Sequence, residues 1–221
     1  MYMYYSFSPS TDINKTGIYP QAISDTKPFE WLLPPMNEQV RLDRFLTFEP
    51  DFEIILNHNA YLTDVVDRAS LSFGLVVNQK VKDILTSFKL PDCRFYQIKV
   101  KQEDCLFDYY WFHFYTDLFN YLDYSETTFE IYRISDFKVM ETFSISSREE
   151  LQAKRKSLDF QRHIRLKKMI LTAEFPSYDV MVDNVFSFST FISKKLKDAF
   201  IESGVTGYDI KQYDLIHWRR F

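Results

Sequence analysis

The chain has 221 residues, 46% hydrophobic and 26% charged, which are values of an ordinary globular protein rather than a disordered one. Its only glycines, Gly17, Gly74, Gly204 and Gly207, stand too far apart for the glycine-rich phosphate loops of Walker or Rossmann sites. A formal net charge of -4 disfavours a dedicated nucleic-acid binder, because phosphate contacts need a basic surface.

The opening "MYMYY" reads as a short aromatic strand. No basic residue precedes Lys15 and no long apolar core follows, so a secretory signal is not expected. Ser8–Pro35 reads as turns, because Pro9, Gly17, Pro20, Pro28, Pro34 and Pro35 prevent a long helix. Arg44–Leu56 is expected to hold one or two short strands around Pro50, with a helical turn after Thr63 and a strand from Ser72 into Val77. Asn78 stands at an N-cap position, and Val81, Ile84, Leu85 and Phe88 form one apolar stripe at helical spacing. "KLPD" stops that helix and "RFYQIKV" reads as a strand.

The block Phe107–Tyr124 holds ten aromatics in eighteen residues and starts as a strand bulky on both faces. Glu103–Asp136 carries eight acids and one base, Arg133, for a local charge of -7. Ser147–Met169 is opposite, with eight bases and three acids. Ser147 and Glu150 form a capping-box pattern that starts a helix, giving a basic stretch Arg148–Lys168. "RHIRLKKMILTAEF" and "DVMVDNVFSF" read as strands. Near the end Ser193 caps a second helix with Leu196, Ala199 and Phe200 on its stripe, Gly204 closes it, Gly207 turns the chain, and "YDIKQY" is a strand. Lys80, Lys82 and Asp83 recur as Lys195, Lys197 and Asp198, a constant offset of 115 residues. The expected fold is therefore α+β: a strand-rich single domain over 1–221, with two similar strand–helix–strand modules near 72–100 and 186–213 flanking a central aromatic sheet.

Familiar catalytic patterns are absent from the sequence. His58, His113, His163 and His217 show no metal-ligand spacing, and a site would have to assemble in space. Cys93 and Cys105 form no CxxC pair and are too few for a disulfide scaffold, which points to a reducing, cytoplasmic setting. There is no G-x-S-x-G elbow. Asp108, Asp117, Asp123, Glu126 and Glu130 could pair as catalytic carboxylates, but solvating the edge of an aromatic sheet is the simpler role. Stacked aromatics can bind bases, yet the acids around Tyr109–Tyr115 repel phosphate, so packing is the expected role. The basic helix reads as a solvated face, and its sign also allows it to pair with the acidic block inside the molecule.

The ordered set "GIYPQ" (Gly17–Gln21), "YLTDVVDRASLSFGLVVNQKVKDILTSFKLP" (Tyr61–Pro91), "FYQIKV" (Phe95–Val100), "YYWFHF" (Tyr109–Phe114), "YLDYSETTF" (Tyr121–Phe129) and "FISKKLKDAFIESGVTGYDI" (Phe191–Ile210) resembles α+β immunity-protein families of bacterial polymorphic toxin systems. The resemblance runs from about residue 15 to residue 213. Asn78 departs from it, because serine is expected there as at Ser193; asparagine caps equally well. The resemblance implies a non-enzymatic protein that neutralises a cognate toxin, for example a nuclease, by stoichiometric binding; no cofactor or metal is expected, because the sequence has no glycine loop or metal-ligand spacing. A basic nuclease groove would be met by an acidic surface, with Asp108, Asp117, Asp123, Glu126 and Glu130 as charge and Tyr109, Tyr121 and Tyr124 as aromatic anchors. A hydrolase with a spatially assembled carboxylate or histidine site, and a regulatory binding module unrelated to toxins, are the alternatives. No nucleic acid or membrane partner is expected, since no run approaches the roughly 18 apolar residues of a membrane helix.

Overall fold

The computed structural model describes residues 3–25, 41–51, 53–187 and 189–218. In chain order the first half holds β1 (Tyr4–Pro9), α1 (Ile13–Thr16), β2 (Ala22–Asp25), β3 (Glu53–Leu56), β4 (Val65–Val66), β5 (Leu75–Val77), α2 (Gln79–Thr86), β6 (Asp92–Gln102) and β7 (Cys105–Tyr115). A 3₁₀ turn, Leu118–Tyr121, leads to β8 (Thr128–Arg133), β9 (Val139–Phe143), α3 (Arg148–Ser157) and β10 (Arg162–Leu171). The chain closes with β11 (Val180–Val182), β12 (Thr190–Ser193), α4 (Lys194–Glu202), β13 (Tyr208–Tyr213) and β14 (Ile216–Trp218). The protein is α+β and strand-dominated. Among the described residues no helix is long and apolar enough to cross a membrane.

Three sheets run β2-β3-β6-β7-β5-β4, β11-β12-β1-β13 and β14-β10-β8-β9. Strand alternation distributes their side chains among three cores. Val76, Tyr96, Ile98, Tyr109 and Trp111 leave one face of the six-stranded sheet and pack with Leu46 and Ile54. Leu75, Val77, Phe112 and Phe114 leave the other face and meet Tyr5, Phe7, Val180 and Ile192 of the second sheet, with both long-stripe helices between them. Tyr4, Met181 and Phe191, on the far face of that second sheet, pack with Phe129, Ile131, Ile164 and Leu166 of the third sheet and with Leu151 of α3.

The two capped helices form where their local signals place them. Asn78 Oδ1 accepts a bond from Val81 N at 3.1 Å, and Ser193 Oγ accepts one from Leu196 N at 3.2 Å. Val81, Leu85, Leu196 and Phe200 are buried, each contributing about 1.5–3 kcal/mol of apolar transfer energy. The pairings around them recur at the offset of 115. Val65 faces Val77 as Val180 faces Ile192. Leu75 faces Phe112 as Thr190 faces Phe7, and Phe95 faces Phe112 as Ile210 faces Phe7. Thus β7 and β1 hold the same ladder position, although β1 begins the chain and β7 follows β6.

Several expectations change. The helical turn expected after Thr63 is the strand β4, because Val65 and Val66 are β-branched, buried and paired to β5. β1 runs on through Ser8 and Pro9, in a stretch expected to turn, because both residues pair with β13. The rest of that stretch holds the short α1 and the strand β2 as far as Asp25, and its last part, Pro28, Pro34 and Pro35 included, lies outside the described residues. The strand before α2 shortens to Leu75–Val77: Gly74 has φ +77°, and a Cβ there would lie 2.6 Å from Phe112 O. Among the described residues of "DVMVDNVFSF" only β11 forms. Buried Asp183 ends it by accepting the N–H groups of Val185, Phe186 and Ser187. The basic stretch Arg148–Lys168 is a helix only as far as Ser157, and the strand read from Arg162 forms as β10. The aromatic block supplies β7, a strand inside the six-stranded sheet beside β5 and β6, rather than a separate central sheet.

Candidate protein interface

Two acids of the acidic block, Asp117 and Glu130, turn against the basic one. Asp117 is ion-paired with Arg148 and also accepts from Asn184 Nδ2 at 3.1 Å and from Phe119 N at 3.2 Å. Glu130 accepts from Arg165 Nε at 2.9 Å and Nη2 at 2.8 Å, and lies 3.1 Å from Lys167 Nζ. Burial would raise the Glu130 pKa, but these two cations outweigh it and hold the carboxyl below its ordinary value. Asp108 pairs with Lys99, and Asp136 pairs with Arg133. Four of the eight acids in 103–136 are therefore neutralised within the chain.

The structure places most of the contact residues expected from the sequence away from the surface. Asp123 is buried, with Oδ1 accepting from Ser125 N, Ser125 Oγ and Glu126 N, so it shapes a turn. Tyr109 is no surface anchor: it is 3% exposed, its hydroxyl donates to Thr63 O at 2.6 Å, and burial pushes its pKa upward. Tyr121 packs edge-on to Phe175 and Tyr124 donates to Phe119 O at 3.0 Å, so both support the core beside the 3₁₀ turn. Only Asp108 and Glu126 of the eight expected contact residues are exposed. Inward folding follows from hydrogen-bonding demand: Asp117 and Asp123 sit where free N–H groups of turns need an acceptor.

The repeated K-x-K-D residues also acquire local roles. Lys82 Nζ lies 3.7 Å from the ring centroid of Tyr110, and Lys197 Nζ 4.2 Å from that of Tyr5. Each caps an aromatic face at equivalent positions of β7 and β1. Asp64 and Asp179, again 115 apart, anchor the two helix starts: Asn78 Nδ2 donates to Asp64 at 2.7 Å and Ser193 Oγ to Asp179 at 2.6 Å. Each also holds the end of the opposite helix region, Asp64 through Thr206 N at 2.8 Å and Asp179 through Lys89 N at 3.0 Å.

The four histidines lie in separate surroundings. His113 is buried, stacks on Trp111 at 5.3 Å and reaches Leu42 O through Nε2 at 2.8 Å; desolvation lowers its pKa, so it is neutral at pH 7. Among the described residues no three His, Cys, Asp or Glu side chains gather in a metal-binding cluster.

One group of exposed apolar side chains lies on the β8–β9 hairpin and the turn before β10. Phe137 is 66% exposed, Met140 56% and Phe160 84%. Ile134 N donates to Gln161 O at 2.9 Å, which brings the hairpin tip beside Phe160. β9 is an edge strand of its sheet. The outer face of that sheet carries Tyr132, with Phe137 stacked at 5.9 Å, His163 edge-on at 6.4 Å and the Arg165 guanidinium 5.2 Å from its ring. Arg165 and Lys167 against Glu130 leave this face with one excess positive charge. Aromatic, methionine and arginine side chains on an open strand edge have the composition of a protein-binding surface. The sequence reading missed this hairpin because its turn has no glycine or Asn-Gly signal: Phe137 itself adopts φ +56°. A comparison with protein-family models and with curated proteins finds no match to this chain.

Proposed function

We propose that this chain is a non-catalytic immunity-type protein that binds and neutralises a cognate toxin, and that it meets that toxin through the β9 edge and the outer face around Tyr132. The observation that carries the binding half of this reading is the exposure of Phe137 and Met140 on the hairpin that forms an open sheet edge, with exposed Phe160 in the turn next to its tip. An edge of this kind invites another chain unless it is covered. The toxin half rests on the sequence resemblance, which spans nearly the whole chain. The excess positive charge beside the edge suits a partner strand carrying carboxylates, so the basic nuclease groove expected from sequence is replaced by an acidic partner surface.

In this reading two strand–helix–strand modules, related by the 115-residue offset, form the frame. The recurring registers, caps and lysine–tyrosine contacts support it. The third sheet, grafted onto that frame, is the part that recognises. The two free thiols, Cys93 and Cys105, suit action in the cytoplasm. The test is co-expression with the toxin encoded beside the gene. The wild-type chain rescues growth and co-purifies with the toxin. Phe137→Ser combined with Met140→Lys loses both while keeping its thermal transition. Full rescue by that double variant would refute this surface, and absence of rescue by the wild type would refute the immunity reading.

A further inference from the structure

A cleft of about 380 Å³ opens between Arg68, Gly74, Ser8, Thr190 and Lys211, a volume within the usual range of small-molecule sites. It lies on β1 and its neighbours, far in function from the hairpin surface. Its shape follows from a substitution of bulk between two equivalent ladders. On β7, Trp111 faces Tyr96, and His113 faces Arg94. At the same ladder positions on β1, Ser6 faces Lys211, and Ser8 faces Asp209. The large rings that fill the corresponding face of the first sheet are thus replaced by two hydroxyls and an ammonium, and space remains.

The cleft's polar groups are mostly donors. Arg68 is half-buried; its Nη1 donates to Ser72 O at 3.3 Å, and it forms no ion pair among the described residues. Asp67 beside it accepts from Ala69 N at 3.3 Å. Lys211 likewise forms no ion pair among the described residues. The one carboxylate on the cleft wall, Asp209, is already engaged by Lys15 Nζ at 2.7 Å, Ser10 Oγ at 3.0 Å and Thr11 N at 3.2 Å. Ser8 and Thr190 add hydroxyls. Among the described residues half-buried Arg68 has only the neighbouring Asp67 carboxylate for charge and Lys211 is exposed, and a fork of N–H donors with nearby hydroxyls matches the tetrahedral oxygens of phosphate.

We propose that this cleft binds a phosphate group, either as free phosphate or at the end of a small phosphate ester, between Arg68 and Lys211. The site is independent of toxin binding. The test is titration of the full chain with inorganic phosphate and with phenyl phosphate at low, constant ionic strength, followed by amide chemical shifts, with chloride as the control anion. Saturable shifts at Ser8, Thr190 and Lys211 are expected with at least one phosphate probe and not with chloride. Tighter binding of phenyl phosphate identifies an ester site; equal or weaker binding identifies a site for the free ion. Arg68→Gln and Lys211→Gln each weaken binding by at least about tenfold, the loss of one charge-assisted contact. Lys138→Gln, on the distant hairpin, leaves it unchanged. Ser8→His, which gives β1 the ring that β7 carries, fills the cleft and abolishes binding. Should Arg68→Gln fail to fold, exposed Lys211→Gln decides. No saturable binding of either probe, or binding unaffected by Lys211→Gln, overturns the proposal.

Discussion

Removing the carboxylate of Asp64 tests how the two halves of the central core are tied. Asp64 accepts from Asn78 Nδ2 at 2.7 Å, Thr206 N at 2.8 Å, Thr206 Oγ1 at 2.9 Å and Lys80 Nζ at 3.1 Å. It therefore joins the start of α2 to the turn that follows α4. Asp64→Ala leaves a backbone N–H and a cap side chain without their acceptor, while Lys80, partly exposed, regains water. The expected cost is about 2–3 kcal/mol, a fall in Tm of roughly 4–12 °C for a chain of this size. Asp179→Ala is the internal comparison. It loses Ser193 Oγ at 2.6 Å and Lys89 N at 3.0 Å, two acceptor contacts instead of four, and should cost about 1–2 kcal/mol. The dependence on pH has a definite sign. Burial would raise the Asp64 pKa, but the bonds from Asn78, Thr206 and Lys80 bring it below its ordinary value. A depressed folded pKa contributes stability above the unfolded value of about 3.9 and loses it as pH falls through the folded pKa. The gap between wild type and Asp64→Ala in urea unfolding should thus be full at pH 7 and shrink below about pH 3.9. A melt of Asp64→Ala equal to wild type, or a smaller loss than in Asp179→Ala, would refute the reasoning.

The remaining predictions concern the acids, the helix stripes and alkaline pH. Asp117→Lys and Asp123→Lys should each destabilise by about 2–4 kcal/mol, because the first faces Arg148 and the second removes a buried turn acceptor, whereas exposed Glu126→Lys should stay within about 0.5 kcal/mol in denaturant titration. Leu85→Ala and Phe200→Ala, at equivalent buried places on α2 and α4, should cost about 2–5 kcal/mol each and lower the urea midpoint without changing the slope. Burial pushes the Tyr213 pKa up to about 12, so the stability tied to its neutral form is complete below the unfolded tyrosine value near 10 and is lost as pH rises through about 12. Tyr213→Phe should reduce the alkaline loss of stability in that window, as measured by unfolding at fixed steps of pH.

What the sequence disclosed was whatever depends on near neighbours. Asn78 and Ser193 cap their helices three residues ahead of the N–H they bind, and the apolar stripes behind them have an unambiguous helical period. The 115-residue offset was visible in the lysines and aspartates, but their partners were not: Tyr110 and Tyr5 come to Lys82 and Lys197 only through strand pairing. β4 was misread because two valines after Thr63 fit a helical turn as well as a strand until β5 lies beside them. The inward turn of Asp117 and Glu130 is hidden from the sequence for a similar reason. Charge counts locate carboxylates along the chain, whereas Arg148 and Arg165, 31 and 35 residues away, decide that Asp117 and Glu130 turn inward. The β8–β9 hairpin lacks a turn signature, since Phe137 occupies a positive-φ position that sequence rules reserve for glycine or asparagine. The cleft beside Arg68 becomes legible only when register sets Ser6 and Ser8 in the places of Trp111 and His113.

The measurement that bears most directly on the proposed function is the affinity of the purified chain for the candidate toxin domain, taken from a neighbouring gene, by calorimetry, for wild type and for Phe137→Ser with Met140→Lys. The account predicts one-to-one binding by wild type, a loss of at least about 100-fold in the double variant as two apolar anchors leave the contact, and unchanged affinity in Glu126→Lys. Equal affinity in wild type and the double variant, with Glu126→Lys impaired, would contradict it.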